Sequence, residues 1–259
     1  MIDTHLHLIP GVDDGARDFA ESLEMARAMS AAGVTAVICT PHGDDGVGPS
    51  PKEARRELDR LAEMLEEEGI LIDLHLGYEL TFDFAAARAP ESLRDYALGP
   101  SGRYVLLEAP YQGWPSYAED LVYRLRLSGL TPVIGHPERN QRLSRNPELL
   151  SALLRLGAVS QGTASSLRGL FGSGARRALL GMLSRGELDI LATDAHFTRP
   201  EVWRLDEAAA ELEQEFPGAD LDRLTRRNPL SILEGRPVEP GVPLQRPRTV
   251  GGYLRRFLG

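Results

Sequence analysis

Two kinds of segment alternate along the chain, and this alternation constrains the fold more than any other feature. The first kind is short, apolar and rich in β-branched residues, which is typical of buried strands. It occurs at residues 35–40, 70–77, 104–107, 132–135, 158–161 and 188–193. The second kind is longer and has a helical period, which is typical of amphipathic helices. It occurs at residues 19–32, 51–68, 116–128, 147–156, 175–185, 201–215 and 221–234.

The alternation predicts an α/β fold with a parallel sheet. With the N-terminal segment 1–7 there are about seven strand–helix units. No Gly-x-Gly-x-x-Gly follows the first strand and no Walker A sequence occurs, which disfavours an open dinucleotide-binding sheet. We therefore predict a closed or nearly closed β/α barrel over residues 1–235. Residues 236–259 are rich in proline and then basic and apolar, and we expect a linker and a tail outside the barrel.

The charge balance excludes several classes of partner. Asp and Glu number 38 against 29 Lys and Arg, for a net charge of −9, which argues against a nucleic-acid binder. The single cysteine, Cys39, rules out an intramolecular disulfide. The N-terminal residues lack the pattern of a signal peptide, and no stretch of about 18 apolar residues could span a membrane. We expect a cytoplasmic protein with no nucleic-acid partner, in which only the C-terminal tail could contact a membrane.

Histidines and acidic residues recur at or just beyond the ends of the predicted strands. His75 is the exception among the six histidines, since it lies inside an apolar run, and we interpret it as a core or barrel-wall residue. Strand ends meet on one face of a β/α barrel, where active sites are built. The side chains expected to converge there are His5, His7, His42, Glu79, Glu108, His136, Asp194 and His196, with Asp14 from the first loop as a further candidate.

This set of ligands predicts a metal centre. Imidazole and carboxylate without thiolate suit Zn, Mn or Fe(II). The set is also larger than the three protein ligands of a typical catalytic zinc, so we expect two or three ions with a bridging carboxylate. Tyr111 and Trp114 follow Glu108 and are either core-edge aromatics or the walls of a site for an aromatic ring.

Two arginines complete the predicted site. Arg139 lies three residues after His136, and Arg199 lies three residues after His196. A guanidinium group binds phosphate oxygens with two parallel hydrogen bonds. We therefore predict that Arg139 and Arg199 bind a phosphoryl group beside the ions.

Taken together, these motifs resemble those of the PHP (polymerase and histidinol phosphatase) superfamily. The resemblance runs from Met1 to about Glu234 and is closest to the bacterial manganese-dependent tyrosine-protein phosphatases of capsule and exopolysaccharide gene clusters. The motifs that carry it are MIDTHLH at 1–7, DDG at 13–15, TPH at 40–42, GYE at 77–79, LE at 107–108, GHPER at 135–139 and TDAH at 193–196.

The resemblance implies a distorted seven-stranded β/α barrel of the TIM-like PHP type. Its active site would lie at the C-terminal ends of the strands and hold three divalent ions, with manganese expected and iron and zinc as alternatives. The implied ligands are His5, His7, Glu79 and Asp194 for the first ion, Glu79 (bridging), Glu108 and His136 for the second, and Asp14, His42 and His196 for the third. Arg139 and Arg199 match the phosphate-binding arginines.

The implied activity is hydrolysis of phosphotyrosine by a metal-activated hydroxide, without a covalent phosphoenzyme. The partner would be a phosphotyrosine protein such as the tail of a tyrosine kinase that controls capsule or exopolysaccharide synthesis. Two alternatives stay open: a small-molecule phosphomonoesterase such as histidinol-phosphate phosphatase, and a non-catalytic regulatory partner of a kinase. The sequence leaves the physiological metal, the natural substrate and the oligomeric state undetermined.

Overall fold

The computed structural model describes residues 1–43, 48–197 and 203–245. Their strands are β1 (Ile2–Leu6), β2 (Ala36–Cys39), β3 (Asp73–Leu76), β4 (Glu79–Thr81), β5 (Tyr104–Glu108), β6 (Thr131–Gly135), β7 (Val159–Thr163) and β8 (Ile190–Ala192). Their α-helices are α1 (Phe19–Ala31), α2 (Pro51–Glu67), α3 (Phe82–Ala86), α4 (Ala118–Leu127), α5 (Gln141–Arg145), α6 (Glu148–Arg155), α7 (Ala164–Leu167), α8 (Gly172–Arg185), α9 (Leu205–Glu215) and α10 (Asn228–Leu233). Two 3₁₀ helices cover Pro90–Tyr96 and Pro137–Arg139.

All strand pairings in the two sheets are parallel, so the predicted α/β fold is confirmed. One sheet has the order β1-β2-β3 and the other β4-β5-β6-β7-β8. Isolated parallel bridges join the two sheets at two places. One lies between Leu6 of the edge strand β1 and Ala195, and the other between His42, which follows the central strand β2, and Glu79. The seven-stranded closed barrel is not found in the described ranges, because eight strands divide between these two sheets.

The additional strand arises where a single strand was expected at residues 70–77. Gly77 lies against neighbouring side chains, and a Cβ there would come within 2.7 Å of Leu98 Cδ2 and 3.0 Å of Ile38 Cγ2. The chain then passes from one sheet to the other. The amide of Gly77 donates to Cys39 O, and that of Glu79 donates to Pro41 O. Glu79 therefore begins β4, two residues beyond the expected strand end.

Helix α2 packs as its apolar period predicts. In α2, Ser50 and Glu53 cap the N-terminus reciprocally, and the buried face consists of Ala54, Leu58, Leu61 and Leu65. A second buried cluster contains residues from strands of both sheets. Its strand residues are Ile38, Tyr104, Leu106, Val133, Val159 and Ile190. The two sheets therefore share one interior, with helices on the outside.

The helix expected at residues 221–234 is interrupted. A π-helical segment covers Arg223–Arg227, and α10 follows from Asn228. Pro229 has no amide proton and cannot make the usual bond of an α-helix, while the amide of Asn228 donates to Arg223 O, five residues back. The helix expected at 201–215 appears as α9, and residues 201–202 lie outside the described ranges.

Residues 236–245 run along the end of the sheet opposite the strand ends that carry the ligands. Tyr104 donates a hydrogen bond to Arg236 O, and the amide of Gly241 donates to Asp189 Oδ1. The predicted tail beyond residue 245 lies outside the described residues. Within the described ranges, we find no helix that combines the length and apolar character of a membrane span.

Candidate metal centre

The predicted ligands come from the C-terminal side of both sheets. His5 belongs to β1, His7 follows it, and His42 lies three residues after β2. Glu108 ends β5 and His136 directly follows β6. Asp194 and His196 follow β8, and Asp14 lies in the loop between β1 and α1. The bridges at Leu6–Ala195 and His42–Glu79 bring these segments side by side.

All nine predicted ligands fall into three overlapping groups. Within each group, one ligand atom of every residue lies within 4.8 Å of those of the others. The groups are His5, His7, Glu79 and Asp194; Glu79, Glu108 and His136; and His7, Asp14, His42 and His196. The first two match the sets implied by the resemblance, and the third adds His7. His75 belongs to none of these groups and is half-buried in β3, at the edge of its sheet.

The inner group is the most buried part of the centre. Glu79 Oε2 lies 3.3 Å from His5 Nε2 and 3.4 Å from His7 Nε2. Asp194 Oδ1 lies 3.2 Å and 3.4 Å from the same two nitrogens. The other oxygen of Glu79, Oε1, is 2.8 Å from His136 Nε2. One oxygen of Glu79 therefore faces the group of His5, His7 and Asp194, and the other faces the group of Glu108 and His136, as in a bridging carboxylate.

The donor atoms fit a group of divalent cations. Nε2 of His5 and Nε2 of His7 are buried without a hydrogen bond, although carboxylate oxygens lie near both. Buried polar atoms are nearly always hydrogen-bonded, and exceptions require an explanation such as an ion. Imidazole nitrogens and carboxylate oxygens around one point are the ligands that Zn, Mn and Fe(II) accept.

Residues behind the ligands orient the histidine rings. Asp13 Oδ2 accepts a hydrogen bond of 2.7 Å from Nδ1 of His7, which leaves Nε2 facing the centre. The same carboxylate accepts from the amides of Gly15 and His42. The side-chain amide of Gln161 is hydrogen-bonded to His5 Nδ1 at 2.8 Å. Both partners fix the orientation of a ring, and the Asp13 carboxylate also fixes the tautomer of His7 in which Nε2 is free to bind a metal.

The sequence prediction missed these supporting residues. Asp13 stands beside Asp14 in the same loop. The backbone of this loop decides which carboxylate faces the metal centre and which one accepts a hydrogen bond from a histidine ring. Gln161 lies in β7, in which every residue is buried. The feature of the sequence that could have indicated its role is a large polar side chain in a predicted buried strand. A polar residue in such a strand requires a partner, but the sequence does not identify that partner.

The two non-glycine residues with positive φ in the described ranges are both predicted ligands. His136 has φ 33° and Asp194 has φ 52°. Backbone conformations of this kind are costly for ordinary residues and concentrate at functional sites. His136 directly follows β6, and Asp194 lies two residues after β8. At each position the turn directs the side chain towards the centre.

The charges of the centre shift the pKa values of its members. Hydrogen bonds from His196 and His42 hold the pKa of Asp14 well below its usual range. Burial raises the pKa of Glu108, and the neighbouring charge of Glu79 raises it further. Burial acts to lower the pKa of His42, but the hydrogen bond to Asp14 and the charge of Glu79 raise it to about 9. This concentration of carboxylates favours cations in the centre.

Arg139 lies against the inner group. Its Nη1 donates to Asp194 Oδ2 at 2.6 Å, and its Nη2 donates to Thr163 Oγ1 at 2.8 Å. The guanidinium carbon lies 3.6 Å from the centre of the Phe171 ring. The group is therefore held rigidly beside the predicted ions. Arg199, the second predicted phosphate-binding arginine, lies outside the described residues.

An aromatic cleft opens beside Glu108. Its volume is 630 Å³, and its walls include Tyr111, Trp114 and Tyr117. The Tyr111 ring lies nearly parallel to that of His136, with 6.3 Å between ring centres. Trp114 packs against the core, as a core-edge aromatic would, and lines the cleft as well, whereas Tyr111 is exposed.

Comparisons with known proteins agree with this architecture. Tyrosine-protein phosphatase YwqE of Bacillus subtilis (strain 168) is 35% identical over 256 residues, which cover 98% of this chain and 100% of that protein. CapC of Staphylococcus aureus is 32% identical over 197 residues, 76% of this chain and 77% of that protein. A crystal structure from work on YwqE and on CpsB of Streptococcus pneumoniae, described as unique metal-dependent tyrosine phosphatases, superposes with a TM-score of 0.85. It is 35% identical and covers 96% of this chain and 100% of its own.

A family model also covers most of the chain. The model described as capsular polysaccharide synthesis, CpsB/CapC, matches residues 1–234. This range includes every predicted ligand and both predicted phosphate-binding arginines. The chain therefore belongs to the CpsB/CapC family of capsular polysaccharide synthesis.

Proposed function

We propose that the protein is a metal-dependent phosphomonoesterase that hydrolyses phosphotyrosine in a protein. The observation that carries this proposal is the convergence of nine imidazole and carboxylate side chains in three overlapping groups. A non-catalytic binding partner has no need of such a cluster, because burying so many polar groups is costly. The relatives named tyrosine-protein phosphatases support the choice of substrate.

We propose three divalent ions, with manganese as the metal. The proposed ligands are His5, His7, Glu79 and Asp194 for the first, Glu79, Glu108 and His136 for the second, and Asp14, His42 and His196 for the third. Arg139 and Arg199 are the proposed phosphate-binding residues, Arg199 on the strength of the resemblance alone. The proposed substrate is the tail of a tyrosine kinase that controls capsule or exopolysaccharide synthesis.

The chain's own residues prepare the centre for phosphoryl transfer. Bound divalent ions supply a water whose pKa falls from about 15.7 towards about 7, and they polarise phosphoryl oxygens. Asp13 and Gln161 hold two imidazoles in the ligating orientation. Asp194 presents one oxygen to the histidines and the other to Arg139. The guanidinium is then positioned to neutralise charge on the phosphoryl oxygens in the transition state.

The aromatic cleft and the chemistry of the leaving group favour aryl phosphates. Tyr111, Trp114 and Tyr117 offer apolar surfaces for a phenyl ring next to Glu108. A phenol has a pKa of about 10, so a departing phenolate needs less protonation than a serine or sugar alkoxide. Phosphotyrosine therefore suits a centre in which no described residue is assigned as a general acid.

Metal removal and substrate comparison test the proposal together. We expect EDTA to abolish hydrolysis of p-nitrophenyl phosphate and of a phosphotyrosyl peptide, and added Mn²⁺ to restore both. Activity that survives chelation would refute metal dependence, and faster turnover of histidinol phosphate than of the peptide would favour the small-molecule alternative. A His136→Ala variant should lose hydrolysis; if the wild-type protein binds the peptide without hydrolysing it, the non-catalytic alternative is correct.

We also propose that the two sheets act as one distorted barrel, supported by the two bridges between them and by the shared buried cluster. Residues 1–235 would form the phosphatase unit, with 236–259 as an appended segment. The cytoplasm is the proposed location, since a kinase tail that carries phosphotyrosine would be found there.

A further inference from the structure

A second cleft adjoins the metal centre on the other side of Tyr111. Its volume is 570 Å³, and we call it the arginine cleft. Its defining residues are Tyr111, Arg139, Arg145, Phe171, Arg177 and Arg185. Because Tyr111 lines this cleft and the aromatic cleft, a ligand that enters the centre past Tyr111 has the arginine cleft beside it.

The floor of the arginine cleft is formed by small residues of α8. Gly174, Ala178 and Gly181 line it at spacings of four and three residues, which puts them on one helix face. A Cβ built on Gly174 would meet no atom within 4 Å. The cleft is therefore open above Gly174, while Arg185 covers Gly181, where a Cβ would lie 3.1 Å from Arg185 Nη1. Its volume leaves room for an extended peptide.

Two arginines at this cleft have no acidic partner in the part of the chain that the structure describes. These are Arg145, which ends α5, and Arg177 of α8. Arg185 is paired with Glu187 at 2.6 Å. The acidic group that lines the cleft, Glu138, is buried, and its Oε1 accepts from the amide of Thr163 and from the hydroxyl of Ser166. Within the described ranges no ion pair joins it to Arg145 or Arg177, which leaves that part of the cleft basic in a protein of net charge −9.

We propose that the arginine cleft binds a carboxylate side chain of the substrate peptide, close in sequence to the phosphotyrosine. The inference rests on the proposed function, because Arg139 lines this cleft and is also a proposed ligand of the phosphoryl group. Arg139 and Tyr111 line the same cleft as Arg145 and Arg177, and an extended peptide advances about 3.3–3.6 Å per residue, so residues within a few positions of the phosphotyrosine would enter this cleft. The protein thus selects phosphotyrosines in acidic sequences, in addition to recognising the phosphate itself.

The test compares two phosphotyrosyl peptides that differ only in charge, one with Glu and Asp around the phosphotyrosine and one with Gln and Asn. The variants are the double substitution Arg145→Ala with Arg177→Ala and, as a matched control, Arg142→Ala. Arg142 is exposed and belongs to α5, but it does not line the cleft. The readout is the ratio of kcat/KM for the acidic peptide to that for the neutral peptide, in which any general loss of activity cancels.

We expect the wild-type protein to prefer the acidic peptide. In the double variant the ratio of kcat/KM values should be about fivefold lower, because two exposed ion pairs contribute about 1 kcal/mol together. The Arg142 variant should keep the wild-type ratio. Equal ratios in all three proteins would overturn the proposal. Fluorescence anisotropy of the labelled peptides gives a second ratio, of Kd values. If neither peptide is hydrolysed, the proposed function fails, while this binding ratio still decides for or against the arginine cleft.

Discussion

Replacing Asp13 tests whether the residues behind the ligands control the metal centre. Asp13 is not a proposed ligand, but it accepts hydrogen bonds from His7 Nδ1 at 2.7 Å, from the amide of Gly15 at 3.0 Å and from the amide of His42 at 3.2 Å. An Asp13→Ala variant loses all three. His7 is then free to rotate and to place its proton on the nitrogen that faces the centre.

Removing a partner that orients a metal-ligating histidine typically weakens metal affinity or activity by about 10–100-fold. We expect Asp13→Ala to weaken Mn²⁺ affinity by this amount, which corresponds to about 1.4–2.7 kcal/mol. Titration with Mn²⁺, followed by the electron paramagnetic resonance of the free ion, measures the affinity directly. Hydrolysis of p-nitrophenyl phosphate at increasing Mn²⁺ should show the same displacement.

Asp18→Ala is the matched control for this variant. Asp18 is also a loop carboxylate, and it accepts from the amide of Glu21 at the start of α1 without contacting an imidazole. Its loss should cost about 1 kcal/mol of stability and leave Mn²⁺ affinity unchanged. Wild-type affinity in a folded Asp13→Ala protein would refute the reasoning.

Three other predictions follow from the geometry. Glu79→Gln removes the charge of the carboxylate shared by two ligand groups, so the metal content measured by elemental analysis should fall. The value of kcat/KM should drop on the order of 100-fold or more. An unchanged metal content would contradict the bridging role. Gly77→Ala puts a Cβ within 2.7 Å of Leu98 and should cost about 1–3 kcal/mol in urea unfolding, whereas Gly174→Ala, with open space around it, should not destabilise. Burial raises the pKa of Asp189, so its contribution to stability is present in full below its unfolded-state pKa of about 3.9 and is lost as pH rises through the raised value. The unfolding free energy of wild type should therefore fall relative to Asp189→Asn over that window, and parallel profiles would show that this carboxyl is not responsible.

The ligand residues could be predicted from the sequence because most of them lie at or just after the end of a predicted strand. Every predicted strand of a parallel α/β fold ends on the same side, so His7, Glu108 and His136 could be assigned to one region without knowledge of the strand order. The family resemblance then divided them into sets. Two of these sets coincide with spatial groups in the structure, and the third gains His7.

Other features depend on packing that the sequence does not specify. Leu98, a neighbour more than twenty residues away, leaves no room for a side chain at Gly77, where one strand ends, and this contact could not be derived from the local pattern. The basic face of α8 likewise depends on which side of the helix turns towards α5, because Arg177 alone is indistinguishable from any exposed arginine. The division of roles between Asp13 and Asp14 depends on the loop backbone.

The sharing of His7 between two groups has a consequence for how firmly each ion is retained. Because Asp13 occupies one ring nitrogen, only the other is available, and a single lone pair serves one ion at a time. If the inner ion takes it, the remaining set is Asp14, His42 and His196, whose side chains are 68%, 23% and 21% exposed. We expect that position to exchange fastest with the medium, so that dilution or mild chelation yields a partly loaded protein before the buried ions depart.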